Sequence, residues 1–203
     1  MSIDINKELK RMAAEFGLTE KEVATSFRAD VRNLWGKSVF KKDFYGKRGV
    51  KVKNDNPRSM KRFPYVTRYT CNICGGSFSA AETELDHLDS ENAMTDLSHA
   101  ESFIKTIFFT SPSKLQILCK DKKKKIKGKV EVVKFGCHSV LTYSERYGVS
   151  FEEAAKYKEF LNISKSDEKT IDFIVNSKVN SVPKTKKARK ELLKELMLGE
   201  TIE

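Results

Sequence analysis

Apolar residues at Ile5, Leu9, Met12 and Phe16 recur at the spacing of one helical face, with Asp4 placed to cap the start and Gly17 to end it. "LTEKEV" then offers a capping box, Thr19 with Glu22, and a Leu18–Val23 staple, opening a second helix through Phe27, Val31 and Leu34 to Trp35 before Gly36. Two short helices joined by a glycine form either a helical hairpin or a helix-turn-helix, and the plain hairpin is favoured. Residues 37–70 lose periodicity and read as an irregular segment punctuated by Gly46, Gly49, Pro57 and Pro64. A strand is expected around Glu82–Leu88, a helix over "AESFIKTIFF" (100–109), and strands at "KLQILC" and "KVEVVKFG", with "IKGK" turning a hairpin into the latter. "HSVLTYSERYG" reads as a short helix, and Ser150 with Glu153 opens another to about Leu161. The last expected helix, "TKKARKELLKELMLG", is basic and gathers Leu192, Leu193 and Leu196 on one side, a stripe suited to packing on the domain. No internal repeat is present.

With 203 residues the chain can bury a core of its own, as one domain with appendages. No run approaches the roughly 18 apolar residues of a membrane span, and the charged N-terminus has no signal-peptide apolar region, so a cytoplasmic location and no membrane partner are expected. The formal net charge of +11 points to a polyanionic partner. It is concentrated: twelve Lys or Arg against two Asp between Arg32 and Arg68, and seven lysines with one aspartate over 120–129. A charge run can be no more than a solvated surface. Here Trp35, Phe40, Phe44, Tyr45, Phe63, Tyr65 and Tyr69 are interleaved with the first cluster, a mixture that suits a surface laid against nucleic acid. Candidate phosphate contacts are Lys41, Lys42, Lys47, Arg48, Lys51, Lys53, Arg58, Lys61 and Arg62, and then Lys122, Lys123, Lys124 and Lys125.

Cys71 and Cys74 form a CxxC turn followed by two glycines, a spacing that lets two thiolates reach one zinc but also serves redox pairs. Cys119 and Cys137 follow with seventeen residues between them. If 120–136 is a hairpin, its ends return together and four thiolates can close one structural zinc site; otherwise Cys119 is simply buried in its apolar strand. Asp86 is a hard oxygen ligand next to His87, and His138 directly follows Cys137.

The pieces "YTCNICGGSF", "ELDHLDS", "KLQILC" and "CHSVLTYSERYGVSFEEA", in this order over about residues 69–157, resemble the HNH (ββα-metal) endonucleases, specifically the zinc-stapled branch common in bacteriophages. The resemblance implies an α+β fold: a ββα-metal core at 69–163 stapled by Cys71, Cys74, Cys119 and Cys137, with a lysine-rich hairpin inserted at 120–136. An N-terminal helical segment (1–36), a basic DNA-contacting segment (37–68) and a C-terminal helical extension (164–203) surround it. It implies His87 as general base on the attacking water, Asp86 and His138 as ligands of a catalytic Mg2+ or Mn2+, and double-stranded DNA as substrate, cut by a monomer or homodimer. A phage-borne enzyme would act in the host cytoplasm, with homing, restriction and DNA processing all open as roles. Two departures from the family pattern stand out. Lys114 occupies the place of the family's Asn before the "LQ" strand, and the usual CxxCH is opened after Cys119, so that Lys122 and Lys123 stand where the close Cys and His would fall. Asp86 and His87 face opposite sides of a regular strand, and converge on one phosphate only if the backbone bends there. The alternatives are a zinc-stabilised nucleic-acid-binding protein without cleavage and, with no specific feature behind it, an adaptor that binds a host protein through its basic surface.

Overall fold

The opening helices form as their caps dictate. The computed structural model describes residues 4–88, 94, 96–126, 128–177, 179 and 181–199. Helix α1 (Ile5–Glu15) starts where the Asp4 carboxylate accepts the Lys7 N–H at 3.1 Å, and ends at Gly17 with φ +66°. Helix α2 (Glu20–Lys37) carries the complete Thr19–Glu22 capping box and turns Ala24, Val31 and Trp35 inward.

The expectation of an irregular segment over 37–70 is overturned. Ser38 ends α2 and caps α3 (Val39–Arg48), its hydroxyl accepting the Lys41 N–H. Strands β1 (Val50–Lys53) and β2 (Tyr65–Thr70) then pair antiparallel, Val50 opposite Arg68 and Lys53 opposite Tyr65, with the two-residue β3 (Ser77–Phe78) on the other side of β2. These elements hid in the sequence for a physical reason. Helix α3 buries only Phe44 and contains Gly46, so it shows no apolar stripe, and "VKVK" is a four-residue alternation inside a charge run. Glycine is needed at 49, where a Cβ would stand 3.0 Å from Tyr69 Cε1 and closer still to Thr67 Cγ2.

Strand β4 (Thr83–His87) pairs with β5 (Leu115–Cys119). Leu88 N–H donates to Lys114 O at 2.9 Å while Gln116 reaches Asp86, an order of contacts that runs antiparallel. Between them α4 (Ala100–Phe108) buries Ala100, Phe103 and Ile107, the 3–4 spacing of one face. These side chains join Val31, Trp35, Leu85 and Ile117 in one core.

The chain divides into two units between Leu118 and Cys119, one residue before the end of β5. The second begins with the antiparallel ribbon β6 (Lys122–Ile126) and β7 (Lys129–Lys134), the lysine-rich hairpin expected from the sequence. Lys127 of its expected turn lies outside the described residues, as do residues 200–203 of the expected C-terminal extension. Helices α5 (Cys137–Tyr147) and α6 (Phe151–Ile163) follow, the first ended by Gly148 at φ +63° and the second opened by the Ser150–Glu153 box. Helix α7 (Asp167–Asn176), capped by Ser166, falls within the expected C-terminal helical extension, although its own span was not read from the sequence. Helix α8 (Lys186–Leu198) is held at its start by Arg189, which donates to both Asp167 oxygens and to the carbonyls of Pro183 and Lys184. Ala154, Ile174 and Leu193 are fully buried in this unit, so Leu193 of the expected leucine stripe does pack inward. Among the described residues no helix is long and apolar enough to cross a membrane.

Candidate metal centre and hydrolytic site

The four cysteines come together. Cys71 leads a tight turn in which its carbonyl accepts the Gly75 N–H at 2.9 Å and its own N–H donates to Gly76 O at 2.9 Å. Gly75 takes φ +67°, which a side chain would resist. The turn is fastened to β5 from both sides: Asn72 N–H donates to Ile117 O at 2.8 Å, and Asn72 Oδ1 accepts the Ile117 N–H at 3.0 Å. Cys119 ends that same strand. The inserted ribbon then has to return, and its neck is clasped by Asp121, whose Oδ1 accepts the Gly136 N–H at 2.9 Å and the Ser139 hydroxyl. Cys137 N–H reaches Cys119 Sγ at 3.2 Å. Gly136 is required here, because a Cβ would overlap the backbone carbonyls of Cys119 and Lys120.

All four Sγ atoms lie within 4.8 Å of one another, with Cys71, Cys119 and Cys137 buried and Cys74 exposed. A tetrahedral zinc with Zn–S of about 2.3 Å separates its sulfurs by about 3.8 Å, so this donor set fits such an ion. Four soft thiolates without a water position suit a structural site rather than a catalytic one.

The histidine on β4 has a defined environment. Its ring packs against Trp35, centroids 5.3 Å apart, and Trp35 in turn meets Phe108 edge-on. His87 Nε2 lies 3.2 Å from Ile107 O. A carbonyl only accepts, so Nε2 carries the proton and the neutral ring keeps its lone pair on Nδ1. Burial pushes the His87 pKa below the ordinary 6.5; the Ile107 carbonyl and the Asp86 charge act upward, Lys41 downward, and burial prevails. At pH 7 the ring is therefore neutral, with Nδ1 able to take a proton. Trp35 Nε1–H is buried and has no acceptor among the described residues, an open donor in the same wall.

Asp86 is half-buried, and its Oδ2 accepts from Gln116 Nε2 across the strand pair at 3.2 Å. Strand alternation holds over the first three residues of β4, where Thr83 and Leu85 are buried while Glu84 turns to Lys41, an ion pair of 2.8 Å; Asp86 and His87 are both half-buried. His138 sits in the first turn of α5, half-buried, with its carbonyl taking the Thr142 hydroxyl at 2.9 Å. Sequence reading had missed Gln116, Trp35, the Ile107 carbonyl and Asp121. Asp121, the only acid within 120–129, was the one that left a visible sign.

The basic residues divide. Lys41, half-buried, is committed to Glu84, whereas Lys47 pairs with Asp43 at 2.7 Å but stays exposed. Lys42, Arg48, Lys51, Lys53, Arg58, Lys61, Arg62 and Lys122, Lys123, Lys124 and Lys125 are exposed. The interleaved aromatics correct the sequence reading: Trp35, Phe44 and Tyr69 are core residues, Tyr45 is half-buried against Tyr69 with its hydroxyl 3.3 Å from Thr83 Oγ1, and only Phe40, Phe63 and Tyr65 face solvent.

Compared with models of known protein families, with curated proteins and with solved structures, the chain matches none.

Proposed function

We propose that the protein is a metal-dependent DNA endonuclease of the HNH type, hydrolysing phosphodiester bonds with His87 as general base. One observation carries the reading: a half-buried, neutral imidazole whose Nε2 proton is tied to a backbone carbonyl, leaving Nδ1 basic, with the next residue along the strand a carboxylate that Gln116 steadies. A base that works on water near neutral pH needs that tautomer and that protonation state.

In this reading Nδ1 of His87 takes the proton of the attacking water, and the Ile107 carbonyl keeps the ring oriented as it becomes charged. Asp86 and His138 would hold Mg2+ or Mn2+, which supplies charge neutralisation at the phosphate and the leaving oxygen. The four cysteines would hold zinc as a structural staple, and the exposed lysines and arginines would grip the phosphate backbone. Lys114 differs from the family's Asn, yet its carbonyl braces β4 by accepting the Leu88 N–H.

The test is nicking of supercoiled plasmid with Mg2+ or Mn2+. Wild type should convert it to nicked or linear DNA, and His87→Ala should lose activity by about 100-fold or more while keeping DNA affinity. Equal cutting by both proteins would remove His87 from its role. Binding without cutting would favour a zinc-stapled nucleic-acid binder.

A further inference from the structure

We propose that β1, β2 and the loop joining them (residues 50–65) form a platform on which unpaired bases of a nucleic acid stack, so that the preferred ligand is a duplex interrupted by a single-stranded segment. The inference rests on the nucleic-acid partner of the preceding reading, and not on cleavage.

The first observation is an imbalance among aromatic rings. Four of the seven in or beside the basic segment are drawn inward, whereas Phe63 and Tyr65 stay 53% and 66% exposed. They flank Pro64 at the bend where the loop enters β2. Packing accounts for neither ring.

The second is what surrounds them. Tyr65 lies directly opposite Lys53 in the strand register and Thr67 opposite Lys51, and opposed residues of an antiparallel pair share a face. All four are exposed, so that face is a solvent-facing surface of two lysines and a tyrosine. Arg62 holds its guanidinium over the Phe63 ring, 5.2 Å from the centroid. Residues 50–65 carry five cations, Lys51, Lys53, Arg58, Lys61 and Arg62, against one acid, Asp55.

The third is rigidity. Asn54, only 4% exposed, spends its whole side chain on the loop. Its Nδ2 donates to Phe63 O at 2.7 Å and to Ser59 Oγ at 3.1 Å, and its Oδ1 accepts the Asn56 N–H at 3.1 Å. Its backbone N–H donates to Pro64 O at 2.9 Å. The loop between folds on itself, with Met60 N–H on Asn56 O and Phe63 N–H on Ser59 O. The chain on either side of Phe63 is thus fixed before any ligand arrives, which lowers the ordering cost of binding.

Cations alone would satisfy phosphates and leave two exposed rings without use. Flat rings among cations match an anionic strand whose bases are free to stack, a contact worth roughly tenfold in affinity per base. On an intact duplex the same contact requires unstacking a base step, which offsets the gain. The platform therefore selects interrupted duplex over continuous duplex.

Fluorescence anisotropy without added Mg2+ tests this, comparing a blunt duplex with the same duplex carrying a single-stranded gap that contains 2-aminopurine. Wild type should prefer the gapped DNA about tenfold and quench the 2-aminopurine. Phe63→Leu/Tyr65→Leu keeps apolar bulk but removes the π faces; both side chains are exposed, and circular dichroism checks the fold. This variant should lose the preference and the quenching, with blunt-duplex affinity and its salt dependence unchanged. Tyr65→Phe should retain both. Identical behaviour of variant and wild type, or equal weakening on both DNAs, overturns the platform and leaves the nuclease reading standing. No binding of either DNA by wild type at low salt overturns both. Equal affinity of wild type for the two DNAs, without quenching, assigns the face to phosphate contacts or to an acidic protein, and the platform falls.

Discussion

His87 shows how one residue acquires chemistry from neighbours that the sequence does not place beside it. Its depressed pKa has a linked effect on stability. The unfolded chain takes up a proton near pH 6.5 and the folded chain only at lower pH, so the unfolded state binds more protons between the two values. Stability from this group is full above about pH 6.5 and is lost as pH falls through the folded pKa. Compared with His87→Gln, wild type should therefore lose more stability as pH drops below 6.5, measured by urea unfolding at a series of pH values. A parallel pair of curves would mean that the ring is not desolvated. In the nuclease reading the pH–rate profile follows the same titration, rising with pH through a midpoint below 6.5. Trp35→Phe tests the cause. With less indole over the ring, the His87 titration seen by NMR should move up toward 6.5, at a stability cost of roughly 0.5–3 kcal/mol. None of this was legible in "ELDHLDS", because burial and the Ile107 carbonyl come from α2 and α4.

At the scale of elements, the pieces that announced themselves had caps or clean periodicity: α1, α2, α4, α5, α6, α8 and strands β4, β5 and β7. Those that did not are held by contacts at a distance. Helix α3 is fixed through Lys41 to Glu84 and Tyr45 to Thr83, and β1 exists because β2 returns beside it after the loop pinned by Asn54. The inserted ribbon is the most informative element. Its neck depends on Asp121 and on the missing side chain at 136. Gly136→Ala should force Cys119 and Cys137 apart, costing about 1–3 kcal/mol or more by overpacking. Metal analysis should find less than one ion per chain, and the melting temperature should fall. Full metal occupancy with unchanged melting would mean that the neck relaxes freely.

For the whole molecule, the cysteines are the largest single commitment. Forty-four residues separate Cys74 from Cys119 and seventeen separate Cys119 from Cys137, so only the folded chain offers four thiolates at once. An ion bound to that state alone stabilises it by mass action, about 2.7 kcal/mol at a free concentration 100 times its Kd. Zinc analysis should give one ion per chain, and a strong chelator should lower the melting temperature, with readdition of zinc restoring it. A chain without zinc whose melting ignores the chelator would reduce the cluster to buried thiols. The basic surface makes its own demand at this scale: each phosphate neutralised contributes a slope of about 0.9 to the fall of log affinity with log salt. Replacing Lys122, Lys123, Lys124 and Lys125 by alanine should make that slope shallower if the ribbon lies on DNA.

The sequence by itself determined what is local: most of the capped helices, strands β4 and β5 and the lysine-rich ribbon, the thiol spacing, and a strongly positive charge. These follow from neighbours within a few positions, where periodicity, caps and charge act directly. Tertiary structure alone decided which aromatics are core and which face water, which lysines are taken by carboxylates, and which nitrogen of His87 holds its proton. It also decided that a hairpin of seventeen residues closes well enough to bring Cys137 back to Cys119. Those outcomes depend on burial and on partners distant in the chain, and neither quantity has a value until the chain has folded.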